Sequence, residues 1–265
     1  MSSQQGLPTI AGLTPPVSPF LPAVLSHIRG HTSLATVNHS IRAVYFSLLL
    51  AKKLPSFSAA VSSSLINLET VSLALLMHDL GWATTKELLS KDKRFEVDGA
   101  DLAVQFIEDQ QQIQTAESAT GQKAGWDKAR LELLWTAVAL HTTPSIAHHH
   151  PNPTVALVQL SILCDFFGPN LPPPLPKETV TVDEYRAIVK EFPRAGFKED
   201  LVQIMCGLCR EKKETTFDNF VSSFGRRLGL DGNGAGAEEY TKEWEERDLA
   251  DTLLAALDAC AAYEK

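Results

Sequence analysis

Ser72-Leu-Ala-Leu-Leu-Met-His-Asp-Leu-Gly81 is an apolar run that ends in two titratable side chains. Five of the six residues before His78 are apolar, and most are good helix formers. The run therefore predicts a helix with little polar face, hence a buried one. A histidine and an aspartate at the end of such a helix are costly unless something satisfies them. The dipeptide alone carries little weight, because a lone histidine in that place is more often a hydrogen-bonded core residue than a ligand.

Working outward, apolar residues recur at helical spacing through almost the whole chain. Helices are predicted at about 20–29, 38–53, 57–66, 68–79, 98–116, 123–141, 152–167, 182–191, 198–212, 216–228 and 238–264. Asn38, Asn67 and Asn152 are the predicted N-caps of three of them, the last followed by Pro153. Only Glu178–Val182 has strand-forming residue types, and it is short. The expectation is an all-α bundle of about ten helices. Residues 1–19, rich in Ser, Gln, Gly and Pro, read as a flexible N-terminal arm. Residues 168–177 read as a stiff proline-rich connector and 229–237 as a glycine-rich one. Neither flanks a piece large enough for a confident second domain, so 20–265 is expected to form one.

The 265 residues are 44% hydrophobic, which is ordinary for a globular chain. The net charge of -8 and the absence of a dense Lys/Arg run argue against nucleic acid as a partner. No stretch is apolar for long enough to span a bilayer, and the first residues do not resemble a signal peptide. With four scattered cysteines, the chain is expected to be cytoplasmic, with reduced thiols.

Two further positions share the tension at His78-Asp79. Asp165 lies in Leu160-Ser-Ile-Leu-Cys-Asp-Phe-Phe167, with apolar residues at nearly every helical neighbour. A carboxylate there should face inward, paired either with an Arg or Lys or with a metal. His39 lies in Asn38-His-Ser-Ile-Arg-Ala-Val-Tyr45 near a helix start, where exposure or capping would come first. Taken together, two imidazoles and two carboxylates are a usual shell for zinc, ferrous iron or manganese, with room for water or substrate.

This order and spacing resemble the HD superfamily of metal-dependent enzymes, and within it the fungal cyanamide hydratases. The segments that carry the resemblance are Asn38-His-Ser-Ile-Arg42, Ala74 to Gly81, Arg94-Phe-Glu-Val-Asp-Gly99, Ala139 to Thr143, Leu160 to Gly168, and Phe192-Pro-Arg-Ala-Gly196. They span roughly residues 36–215. The resemblance implies an HD-type helical domain with its metal site within 36–170. His39, His78, Asp79 and Asp165 would be the ligands of one divalent ion, zinc before iron or manganese. It also implies a catalytic role for His141, in contacting substrate or moving protons. Glu96 would support the site or line its pocket. Trp82 and Asp98 depart from the family pattern, which has a small polar residue and a tyrosine there, and both fall near the expected substrate pocket.

The activity implied is hydration of a small nitrile, cyanamide to urea. A metal phosphohydrolase is the first rival, with Arg42, Lys86, Lys93 and Arg94 near the motifs to grip phosphate. A di-iron oxygenase ranks third, since only His141 and His148 to His150 remain for a second metal. A binding module that keeps the metal for structure is the non-enzymatic rival. The partner expected is a small-molecule substrate. The triplet His148 to His150 reads as a solvated loop, and Cys206 and Cys209 as two buried thiols rather than a zinc or redox pair. The charges from Glu238 to Asp251 read as a solvated helix face. Its apolar side, Leu249, Leu253, Leu254 and Leu257, suits packing on the core or on a second copy in a homo-oligomer.

Overall fold

A computed structural model describes residues 6–117, 125–173, 175–247 and 249–263. Among these residues the chain is helical and forms no strand, so the all-α expectation is borne out. An isolated β-bridge joins Ile10 and Leu13. The chain divides into two compact units, one of Met1–Ser90 with Phe95–Phe197, the other of Lys91–Arg94 with Lys198–Lys265.

The first unit contains α1 (Leu21–His31), α2 (Leu34–Lys53), α3 (Pro55–Ser62), α4 (Leu68–Met77), α5 (Phe95–Glu117), α6 (Lys128–Ala139), α7 (Pro144–Ala147), α8 (Pro153–Phe167) and α9 (Val182–Glu191). Helix α4 is its centre. Thr70 to Met77 are all buried, and α1, α2, α5, α6 and α8 pack around them. Being covered on every side explains why the 72–77 run has no polar stripe. Helix α2 packs between α4 and α8 and buries every residue from His39 to Ala51.

Local capping explains where the helices begin. Asn67 and Asn152 cap α4 and α8 as expected, accepting from the amides of Thr70 and Thr154. Asn38 does not cap α2. Ser33 does so one turn earlier, accepting from the Thr36 amide at 3.0 Å, and Asn38 instead donates to the Pro193 carbonyl. The β-type residues at 178–182 form no strand, because Thr181 and Glu184 close a reciprocal capping box at the start of α9. Helix α5 starts three residues early, at Phe95, with Glu96 and Asp98 in the first turn where acidic groups suit the helix dipole. Positions 123 and 124 of the helix expected at 123–141 lie outside the described residues, and α6 starts after Asp127, its N-cap. Within the expected arm, Ile10 and Leu13 are buried and the Tyr45 hydroxyl donates to the Pro8 carbonyl; residues 1–5 lie outside the described residues.

The second unit takes α10 (Phe197–Glu211) from Lys198 onward, with α11 (Ser222–Leu228), α12 (Ala237–Glu245) and α13 (Leu249–Cys260). The helices expected at 216–228 and 238–264 are both shorter or interrupted; positions 248 and 264 lie outside the described residues. Cys206 and Cys209 are buried free thiols. Leu253, Leu254 and Leu257 are exposed. No helix among the described residues is long and apolar enough to cross a membrane.

One backbone contact fixes the His-Asp segment in place. After α4 the chain makes a 3-10 turn at Leu80–Trp82 that lies against α5. A Cβ on Gly81 would stand 1.9 Å from the Phe95 carbonyl oxygen, and one on Gly99 would stand 2.8 Å from that of His78. Both obstacles are backbone and cannot swing aside. Gly81→Ala is therefore expected to destabilise the chain by at least the cost of core overpacking, about 1–3 kcal/mol. Gly30→Ala, on α1 with open space around it, should stabilise by roughly 0.5–1 kcal/mol. Thermal denaturation of the two variants checks the contrast, and equal midpoints would show that the turn is not clamped.

Candidate metal centre

Two helix ends converge on the site. The last carbonyls of a helix have no partner within it, and α4 and α6 resolve this in the same way. His78, which follows α4, donates from Nδ1 to the Leu75 carbonyl at 2.7 Å. His141, two residues beyond α6, donates from Nδ1 to the Val138 carbonyl at 2.6 Å. A carbonyl can only accept, so each ring carries its proton on Nδ1 and turns Nε2 the other way. His39 on α2 does likewise, with Nδ1 2.6 Å from an Asp165 carboxylate oxygen.

The three Nε2 atoms surround Asp79, which sits just past α4 at φ -100, ψ 20, in the sparsely populated bridge region common at active sites. His78 Nε2 is 3.0 Å and His39 Nε2 3.6 Å from Asp79 Oδ2, and His141 Nε2 is 3.7 Å from Oδ1. His78 and His39 approach each other at 3.3 Å through their Nε2 atoms. All four side chains are buried, and neither Asp79 oxygen receives a well-aligned hydrogen bond. One donor atom from each of His39, His78 and Asp79 lies within 4.8 Å of the others.

A carboxylate buried among imidazole lone pairs draws a cation. A proton is one such cation. Burial pushes the His78 pKa down, but the Asp79 charge beside it outweighs this and raises it above the ordinary value. Burial pushes Asp79 up, yet His78, and then His39 and His141, hold it below the usual carboxylate range. Burial lowers His39 despite Asp165 and Asp79. Burial and then His78 hold His141 down to about 4. The donor set of two imidazoles and a carboxylate is one that a divalent metal accepts. The carbonyl ends of α4 and α6 add negative potential in the same place. The residues present thus fit a divalent ion.

The other expected site residues fall as follows. Asp165 is buried, but it stands on the far side of the His39 ring, where Arg42 Nε and Nη2 donate to its two oxygens at 2.7 and 2.8 Å. Burial would raise its pKa, and the hydrogen bonds from Arg42 and His39 drive it well below the usual range instead. Glu96 is buried and accepts from the hydroxyl of Thr142, next to His141, at 2.5 Å. Asp98 accepts from the Ser90 amide at 3.3 Å. Trp82 stacks parallel to His39 at 6.4 Å between ring centres, and its buried indole N–H has no hydrogen-bond partner. Phe166 and Phe197 also lie against His39, and Phe95 lies against both Trp82 and His141.

Sequence reasoning missed the role of Arg42, which it weighed only as a phosphate grip. The available signal was its position three residues after His39, on the same face of α2. It also missed Arg194, which donates to the Asp165 backbone carbonyl and approaches its side chain at 3.3 Å.

Because a metal and a proton compete for His78 Nε2, zinc affinity should rise with pH up to the raised pKa of His78 and level off above it. Below that pKa, affinity should gain about tenfold per pH unit, with about one proton released from His78 per zinc bound. Calorimetry in buffers of different ionisation enthalpy reads the proton count, and a flat affinity profile would argue that His78 Nε2 is not a ligand.

Residues 36–157 match the HD domain model. The matched stretch contains His39, His78, Asp79 and His141, and ends before Asp165. No curated protein matches the chain. The matched stretch covers 122 of the 265 residues, and the buried His39, His78, Asp79 group, which could hold a metal, lies within it.

Proposed function

We propose that this chain hydrates a small nitrile, cyanamide to urea, at one divalent ion held by His39, His78 and Asp79, with zinc the first choice. The observation that carries the reading is the Asp79 carboxylate, buried with neither oxygen hydrogen-bonded and faced by three imidazole Nε2 atoms. A metal held there would lower the pKa of a bound water toward neutrality.

The chain's own groups suit the rest. His141 has its Nδ1 fixed on Val138 and its Nε2 beside Asp79, and burial keeps the ring neutral at working pH. A neutral Nε2 can take a proton from water and return it to the substrate nitrogen. The water oxygen bonds to the central carbon, one C–N π bond opens and the nitrogen is protonated. Isourea results and tautomerises to urea. Trp82, Phe95, Phe166 and Phe197 give the site aromatic surroundings suited to a small uncharged substrate. The unpartnered Trp82 N–H offers a donor for one of its nitrogens.

A phosphohydrolase is the second reading, favoured by the commonness of that activity among HD domains. Against it stands Arg42, the cation nearest the first histidine in sequence. All three of its guanidinium nitrogens are engaged, on Asp165 and on the carbonyls of Phe192 and Pro193. The same reading places the chain in the cytoplasm, where free cysteines stay reduced.

Purified chain given zinc and cyanamide should release urea. His78→Ala should lose both the metal and the activity. His141→Gln should keep the metal while kcat falls by roughly 10²–10⁴-fold, the range of a lost general acid–base. Turnover of a phosphomonoester or nucleotide without urea formation would replace this reading with the phosphohydrolase.

A further inference from the structure

We infer that His27 and His31 form a second metal-binding site at the C-terminal end of α1, a two-imidazole chelate for one divalent transition-metal ion. Neither residue belongs to the Asp79 centre.

Helix periodicity makes the pair. Residues four apart lie on one face of a helix, a turn from each other, and His27 and His31 are so placed in α1 (Leu21–His31). Zinc sites on helices use the same spacing. The two ring centres stand 4.6 Å apart, with their planes at 57°.

Metal chemistry sets the spacing that a chelate needs. With a metal–nitrogen bond of about 2.0–2.1 Å, an ion lies about 3.2 Å from the centre of each imidazole that it binds. Two rings on neighbouring positions of a square or tetrahedral shell then have centres about 4.5–5.2 Å apart. The 4.6 Å between His27 and His31 falls in that range. So do the spacings in the candidate centre, 5.2 Å for His39 with His78 and 4.9 Å for His78 with His141.

The nitrogens are also free to bind. Among the described residues, half-buried His27 makes no hydrogen bond or ion pair. Phe106 of α5 leans on its ring at 4.4 Å between centres. A phenyl ring can fix the position of an imidazole but leaves its nitrogen lone pair unused. Burial, and then the neighbouring His31, hold the His27 pKa below the ordinary histidine value, so near neutral pH an ion need not displace a proton from it. His31 Nδ1 lies 2.9 Å from the Thr85 hydroxyl oxygen. With Nδ1–H donating there, Nε2 carries the lone pair. An oxygen partner on one ring nitrogen orients the other for a metal in this way.

The place of the pair suggests what an ion there does. The His31 carbonyl accepts from the amide and the hydroxyl of Thr84 at 2.7 and 3.1 Å. Thr84 and Thr85 follow the turn at Leu80–Trp82. An ion on the two rings braces the end of α1, and through it the segment that leaves the His-Asp turn. Two protein ligands leave the other positions of the ion to water, so it exchanges more readily than one in a closed four-ligand site.

The test is a calorimetric zinc titration of the full, untagged chain as wild type, His27→Gln, His78→Ala and the two combined. Wild type should take up about two ions, each single variant about one, and the combination none. His149→Gln, in the loop triplet, should keep the wild-type count. A zinc count and affinity in His27→Gln equal to those of wild type overturn the inference, and so does loss of the second ion in His149→Gln. Copper adds a readout that a change in folding alone does not mimic. Bound to His78→Ala, its electron spin resonance should be split by two imidazole nitrogens, and the same splitting in the combined variant overturns the inference. If His27→Gln does not fold, anomalous scattering from zinc-soaked wild-type crystals decides. An ion between His27 and His31 supports the site, and ions at other histidines alone overturn it. Loss of an ion in His27→Gln but not in His78→Ala refutes the metal reading of the Asp79 centre and leaves this one intact.

Discussion

The first unit is organised around the burial of Asp79. An unpaired carboxylate taken out of water costs several kcal/mol even after the surroundings relax. Total stability for a domain is only about 5–15 kcal/mol. A penalty of that size would be selected away unless the site had a use for it. Everything that touches Asp79 makes sense as provision for a cation. Three imidazoles offer lone pairs, and two helices present their carbonyl ends. The raised pKa of His78 has the same source, the Asp79 charge beside it outweighing burial.

The rigidity of the centre comes from ordinary helix-end chemistry. His78 and His141 each return to a carbonyl three residues back that the helix leaves free. One hydrogen bond thus terminates the helix, selects the tautomer and aims the ligand atom. The close packing of the 80–82 turn on α5, possible only because Gly81 and Gly99 lack side chains, then fixes where that helix end sits. Positional precision at the His78-Asp79 end of α4 therefore comes from backbone contacts, with little left to loop conformation.

Legibility in the sequence followed the range of the interaction. The buried helix before His78 was readable because apolar residues without a polar stripe mean burial on all sides. The caps Asn67 and Asn152 were readable as local signals, and so in principle was the Thr181-to-Glu184 box, hidden by the β-type residues beside it. Asn38 misled because a serine one turn earlier competes for the same role. The burial of Asp165 was readable from its apolar neighbours, but its partner was not. Arg42 and Asp165 are 123 residues apart, on α2 and α8, and only the packing of those helices brings them together. His39 stood out through resemblance alone, since nothing local distinguishes it from a capping or exposed histidine.

The division of labour between the two aspartates also bears on the chemistry through charge. Asp165 is neutralised by Arg42, with Arg194 close by, so this corner brings no net negative charge to the centre. Asp79 has imidazoles as its neighbours, and burial works against the charged forms of His39 and His141. Of the two buried carboxylates it is therefore Asp79 whose negative charge is left to attract a cation.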